Sequence, residues 1–184
     1  MALLIRPATV LAFVAAAVAS PLAGQISQDD ALALAFPSAD VERRTAYLDD
    51  GQLNTARRLA GERVDIESTI VTHYVASRNG THVGVAYFDA HRVRTLQEVL
   101  MIVVRPDGSV DRIETVSFRE PPEYEAPGGW LDLFEGRPLS DGLSTRGEIP
   151  NVTGATLTSN AVTAAVRRIL ALHAVVRPFD AVTP

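Results

Sequence analysis

A series of β-type segments separated by turn-forming residues restricts the fold of this chain more than any other feature. Asn79-Gly80 is a strong signal for a two-residue hairpin turn, and a later Pro-Asp-Gly-Ser stretch predicts a second turn. The segments around these turns are rich in Val, Ile, Thr and Tyr or form a continuous apolar run: 66–77, 82–89, 99–104 and 110–118. They predict a meander of at least four strands, which we expect to be antiparallel. In the last segment, alternation predicts one shared face for Val110, Arg112, Glu114, Val116 and Phe118.

Helical segments precede and follow this meander. Ser27 is a cap-type residue before a short helix that Pro37 stops, and Asp49 or Asp50 begins a second helix that Gly61 ends. The pattern further predicts a strand at 43–48, a helical turn at 130–134 and an amphipathic helix at 160–175. The order of these helices and strands along the chain predicts an α+β fold in one domain.

The amino-acid composition excludes several classes of function. The chain has 184 residues, of which 47% are hydrophobic, and this is enough for one packed core. It has no Cys, which excludes disulfides, thiolate-bound iron–sulfur clusters and attached c-type haem. The formal net charge of −5 disfavours a nucleic acid partner. The four His residues lack the spacing of a metal site, so none is predicted.

The first residues have the character of an export signal. Arg6 precedes an apolar run at 10–19, and Ser20-Pro21 and further small residues follow it. We expect cleavage after Ala19 or Gly24, and we assign the domain to 25–184, outside the cytoplasm, in the periplasm. The alternative is a retained membrane anchor, for which the run is short because spanning a bilayer takes about 20 apolar residues.

A hydroxyl-rich loop at 151–159 leads directly into the last predicted helix. Gly154 permits positive φ or a close approach of the backbone, and Ala155 adds little bulk. Four hydroxyls surround them, on Thr153, Thr156, Thr158 and Ser159. One interpretation is that Thr158 or Ser159 caps the helix. The other is that the helix N-terminus and these hydroxyls bind an anion such as phosphate.

The residues Thr153-Gly154-Ala155-Thr156-Leu157-Thr158 resemble the flavinylation motif of the FMN-binding domain family. That family includes flavin subunits of the sodium-pumping NADH:quinone oxidoreductase and of the Rnf complex. The resemblance extends over about 46–175 and includes the segment 118–124. It implies that FMN is joined to Thr156 by a phosphoester bond, which a separate FMN transferase installs from FAD. Thr153, Gly154, Ala155 and Leu157 would then shape the loop, and Thr158 and Ser159 would bind phosphate or cap the helix.

The resemblance implies an exported electron-transfer flavoprotein, which relays electrons between redox partner proteins, among them a membrane electron-transport complex. The resemblance thus implies an electron carrier or a subunit of an oxidoreductase system, with no catalytic residue of its own. One position departs from the family pattern: Pro150 stands where many members have Asp, and Glu148 is the nearest acid. The alternative is therefore a periplasmic module that binds FMN or another phosphate ligand without a covalent bond, as a sensor or interaction domain.

Three other groups of residues are candidates for a role at the site. Tyr124, Trp130 and Phe134 are aromatic side chains that either pack on the isoalloxazine ring or belong to the core. His91, at a strand end, either lies near the flavin and carries protons or is a surface residue beside a turn. The carboxylates of a proline-rich loop suggest either hydrolase chemistry or solvated side chains: Glu120, Glu123 and Glu125.

Overall fold

The structure is a computed structural model that describes residues 25–180. The predicted signal segment, 1–24, lies outside the described residues, and its role in export stays a prediction. None of the helices in the described part of the chain has the length and apolar character needed to cross a bilayer.

Five antiparallel strands form one sheet, and each strand pairs with the next one in the sequence, in the order β1-β2-β3-β4-β5. This confirms the predicted meander and adds the segment before it as an edge strand. Asn79 and Gly80 have φ angles of 52° and 76°, as the tight turn between β2 and β3 requires. The strands are β1 (Asp40–Tyr47), β2 (Ile70–Arg78), β3 (Thr81–Arg92), β4 (Gln97–Val104) and β5 (Val110–Phe118).

The prediction of a single shared face on β5 was wrong. The pairing of β4 with β5 shifts register twice, between Val99 and Leu100 and between Val103 and Val104. The second shift leaves Asp111 as an extra residue between Val110 and Arg112, and it reverses the faces to which the following side chains of β5 point, because side chains alternate along a strand. As a result, Val110 belongs to the core on one face of the sheet and Val116 to the core on the other.

Within residues 25–180, four α-helices accompany the sheet. The Ser27 hydroxyl caps the first helix by accepting from Asp30 N, and Asp49 caps the second through a capping box with Gln52. Gly61 ends that second helix with φ 92°. The predicted turn near Trp130 is a four-residue helix followed by a 3-10 turn, Asp132–Phe134. The helices are α1 (Gln28–Ala35), α2 (Asp50–Ala60), α3 (Gly128–Leu131) and α4 (Thr156–Val176).

The sheet has a core on each face. The larger core lies between the sheet and helices α2 and α4, where Tyr87, Ile102 and Val166 are buried. On the opposite face α1 covers a smaller core that includes Tyr74 and Met101. Helix α4 is thus held along much of its length by burial of Leu, Ile and Val side chains, each of which contributes about 1.5–3 kcal/mol.

Candidate functional site

Helix α4 begins at Thr156, four residues before the predicted start, so the motif lies partly inside the helix. The residue before it, Ala155, cannot supply a capping side chain, and the first turn contains no acidic residue. The first backbone N–H groups of a helix have no partner inside it. The start of α4 therefore offers hydrogen-bond donors and the positive end of the helix dipole to an anion.

The prediction that Thr158 or Ser159 caps the helix was wrong. Both residues are buried, and their hydroxyls bond to the backbone nearby. The Thr158 hydroxyl donates to the carbonyl of Tyr124 at 2.5 Å. The Ser159 hydroxyl donates to the carbonyl of Ala155 and accepts from the N–H of Val152. These hydroxyls fix the loop. The N–H of Ser159 already donates to the carbonyl of Ala155 at 2.9 Å, so at these two positions the backbone N–H of Thr158 is the group left for a phosphate.

A turn at Gly154 and the side chain of Trp130 fix the shape of the loop before α4. The N–H of Ala155 donates to the carbonyl of Val152 at 3.1 Å, and Gly154 inside this turn has φ 85°. A non-glycine residue rarely adopts that angle. The indole N–H of Trp130 donates to the carbonyl of Pro150 at 2.6 Å, and its ring packs on Phe134. Trp130 and Phe134 are therefore core residues that support the motif.

Thr156 lies where two cavities meet. The smaller one, of about 320 Å³, lies beside the first turn of α4 and is lined by Arg94, Tyr124 and residues 154–158. The larger one, of about 730 Å³, extends along the same helix past Asn160 to Arg167. Both volumes are in the range of ligand sites, about 300–1,000 Å³. Thr156 is exposed, as is Thr153, but Thr153 lines neither of these cavities.

Tyr124 lines the smaller cavity together with Thr156 and with a cation that no sequence motif selects. The guanidinium of Arg94 lies 4.3 Å from the centre of the Tyr124 ring. Arg94 comes from the loop between β3 and β4, and its neighbours in the sequence give no sign of a ligand site. Leu157, which is 53% exposed, completes the rim of the smaller cavity.

The interpretation of His91 as a surface residue was wrong. Its ring is buried between two carboxylates, 2.9 Å from Asp89 and 3.0 Å from Glu98. Burial alone would lower the pKa of His91, but hydrogen bonds to Asp89 and Glu98 and their negative charges raise it to about 9. His91 is thus charged at neutral pH and is the centre of an internal ion-pair cluster. It lines neither of the two cavities at Thr156.

The proline-rich carboxylates do not form a hydrolase-like pair in the site. Glu120 is buried, and its carboxylate is occupied by backbone N–H groups of the β3–β4 loop. Glu125 is half-buried, and burial together with the charge of Glu98 raises its pKa. Glu123 is exposed. Neither cavity at Thr156 is lined by any of the three.

Comparison with solved structures finds a protein of similar fold. The fold is similar to the crystal structure of NqrC from Shewanella oneidensis, with a TM-score of 0.54 and 16% sequence identity. The alignment covers 78% of this chain and 82% of that one. At such low identity the likeness concerns the fold. No curated protein sequence matches the chain.

The model of the FMN-binding domain family matches residues 97–171. This range includes strands β4 and β5, the proline-rich loop with Tyr124, the motif around Thr156 and most of helix α4. The donors at the start of α4 suit a phosphate group, which is the anionic part of FMN. The match confirms the resemblance carried by the motif, and it supports FMN as the cofactor.

Proposed function

We propose that this protein is an exported electron carrier whose FMN is linked through its phosphate to the hydroxyl of Thr156. One observation carries the proposal. Of the four motif hydroxyls, those of Thr158 and Ser159 are buried and bonded to backbone, and Thr153 lies outside both cavities. The Thr156 side chain is exposed, stands at the uncapped start of α4 and lines both cavities.

Attachment needs a second protein and a flavin donor. An FMN transferase that uses FAD would bring the pyrophosphate group to the exposed Thr156 hydroxyl. The hydroxyl oxygen forms a bond to the phosphorus of the FMN half, the bridging P–O bond breaks, and AMP leaves with the electron pair. The hydroxyl proton is released. The backbone N–H groups at the start of α4 stabilise the negative charge on the phosphate during this exchange.

The bound FMN supplies reversible electron transfer, while this chain holds and orients it. The sequence contains no Cys for a second metal-based redox centre, so partner proteins supply and remove the electrons. The family resemblance favours a membrane electron-transport complex as such a partner. Export by residues 1–24 would place this exchange in the periplasm. The presence of the processed chain in a periplasmic fraction tests that part.

The test of attachment is an intact mass of the denatured protein, made in the periplasm together with an FMN transferase. We expect a gain of one FMN less one water. Thr156→Ala should lose this gain completely, and Thr153→Ala, which removes a neighbouring exposed hydroxyl, should keep it. A flavin that stays attached in Thr156→Ala contradicts the proposal.

A second candidate function has support from one contact. Glu148, the acid nearest to the position where many family members have Asp, forms an ion pair with Arg137. The carboxylate of Glu148 is therefore paired with Arg137 and not free to replace the missing Asp. Pro150 itself offers no charge to a transferase. If the wild-type mass is unmodified while a control substrate is flavinylated, and the folded protein still binds added FMN, the protein is a module that binds FMN reversibly.

A further inference from the structure

The loop that joins β3 to β4 is held in place by a carboxylate from a distant part of the chain. Glu120 accepts hydrogen bonds from three successive backbone N–H groups, those of Arg94 at 3.1 Å, Thr95 at 2.6 Å and Leu96 at 2.8 Å. The bonds from Leu96 and then Thr95 lower the pKa of Glu120, so it stays ionised. The backbone that carries Arg94 is therefore fixed.

The side chain of Arg94 is positioned as well. Its guanidinium stacks on the ring of Tyr124, 4.3 Å from the ring centre. Stacking uses the face of the guanidinium and leaves its N–H groups available at the edge. Tyr124 is itself held to α4, because its carbonyl accepts from the Thr158 hydroxyl. The guanidinium and the start of the helix thus form two sides of one small cavity.

The charges around this cavity favour a single anion. Among the described residues that line it, Arg94 is the one with a charged side chain, and no carboxylate is among them. The larger cavity on the other side of Thr156 has both signs, with the carboxylates of Glu62 and Asp141 beside three guanidinium groups, those of Arg63, Arg146 and Arg167. The guanidinium of Arg167 already donates to backbone carbonyls. The smaller cavity is therefore the better place for a phosphate at Thr156.

We propose that Arg94 holds the phosphate of FMN against the first turn of α4, with Glu120 and Tyr124 as the residues that position it. This inference rests on the proposed function, in that it takes the Thr156 end of α4 as the FMN site. It does not depend on whether the bond to Thr156 forms, because a reversibly bound FMN presents the same phosphate to the same donors.

The test compares FMN with riboflavin, which has the same ring system and lacks the phosphate. Protein made without the transferase is titrated with each flavin, and binding is followed by flavin fluorescence. The wild type should prefer FMN, and Arg94→Ala should lower this preference about ten- to hundredfold, as expected for hydrogen bonds to a charged group. The affinity for riboflavin should stay unchanged.

Two further variants sharpen the result. Arg92→Ala removes an exposed guanidinium two residues away that does not line the small cavity, and it should leave the preference for FMN intact. Glu120→Gln keeps the shape of the side chain but weakens its hold on the loop, and it should lower the preference less than Arg94→Ala does.

The outcomes separate this inference from the proposed function. If Thr156 gains FMN but the preference survives in Arg94→Ala, the role of Arg94 is overturned and covalent attachment stands. If the preference depends on Arg94 but no FMN mass is gained, the role of Arg94 is supported and covalent attachment is not. A wild-type protein that does not prefer FMN over riboflavin overturns the role of Arg94.

Discussion

The two ends of helix α4 have opposite surroundings. At the C-terminal end, Leu170 is 2% exposed and the ring of His173 is buried, with its Nδ1 atom 3.0 Å from the hydroxyl of Tyr87. At the N-terminal end, Thr156 and Leu157 are exposed and no side chain caps the helix. One end is thus closed by the core, whereas the other leaves a hydroxyl and backbone N–H groups accessible.

This difference shows how one helix serves both stability and binding. Apolar burial at the closed end anchors α4 to the sheet, so the open end does not need a capping side chain to hold its position. The buried hydroxyls of Thr158 and Ser159 extend this anchoring to the loop. An attached flavin would therefore be presented by a rigid element, as a precise binding site requires.

The largest expected effect comes from truncating a buried side chain at the closed end. Leu170→Ala should lower the free energy of unfolding by about 2–5 kcal/mol, because it leaves a cavity in the core. Leu157→Ala, the same change at the open end, should stay within about 0.5 kcal/mol. Urea denaturation of both variants measures the difference. Equal losses would mean that the two ends do not differ in packing as described.

Two buried histidines should respond to pH in opposite directions, His173 on α4 and His91 on β3. Burial and then the charge of His73 lower the pKa of His173 to about 4, below its usual 6.5. The unfolded chain then binds more protons, so stability falls as pH drops from 6.5 toward 4. The pKa of His91, at the strand end that leads to the Arg94 loop, is raised to about 9. The stabilisation of the folded state by protonated His91 is complete below pH 6.5 and is lost as pH rises through 9.

Each of these two pKa shifts changes the free energy of unfolding by an amount on the order of 3 kcal/mol. The groups that face His91 are Asp89 and Glu98, with Arg168 bonded to Asp89. His91→Gln should remove the alkaline loss while keeping the acid one, as measured by denaturant titrations between about pH 4 and 10. Hydrogen exchange should locate the acid-sensitive amides near His173. If His91→Gln still loses stability at alkaline pH as the wild type does, His91 is not the cause of that loss.

A smaller effect is expected from the turn at the open end. Gly154→Ala should cost about 1–2 kcal/mol, because Gly154 has φ 85° while a methyl group there would meet no neighbour. Gly128→Ala is the matched control, since Gly128 is also free of close neighbours but has an ordinary φ. The melting temperature of each variant gives the comparison. A Gly154→Ala protein as stable as the control would show that the turn relaxes freely.

Much of the fold follows from neighbours in the sequence. The Asn79-Gly80 turn, the caps at Ser27 and Asp49 and the strand segments depend on residues a few positions apart, so local rules predict them. The hydroxyl of Thr156 is likewise selected by a motif of six consecutive residues. The start of α4 differs from its predicted position because hydroxyls before a helix suggest caps, whereas distant carbonyls and amides engage them.

The sequence by itself determined the meander, its hairpins and most of the helices, because these depend on contacts within a few residues. The hydroxyl that we propose as the attachment point was selected by the resemblance of a short motif. Tertiary structure alone decided which hydroxyls remain free, where β5 reverses its faces and how His91 is charged. It also brought Arg94 to the motif through Glu120 and Tyr124. These residues come into contact only when distant segments of the chain pack together, and local sequence patterns do not predict such contacts.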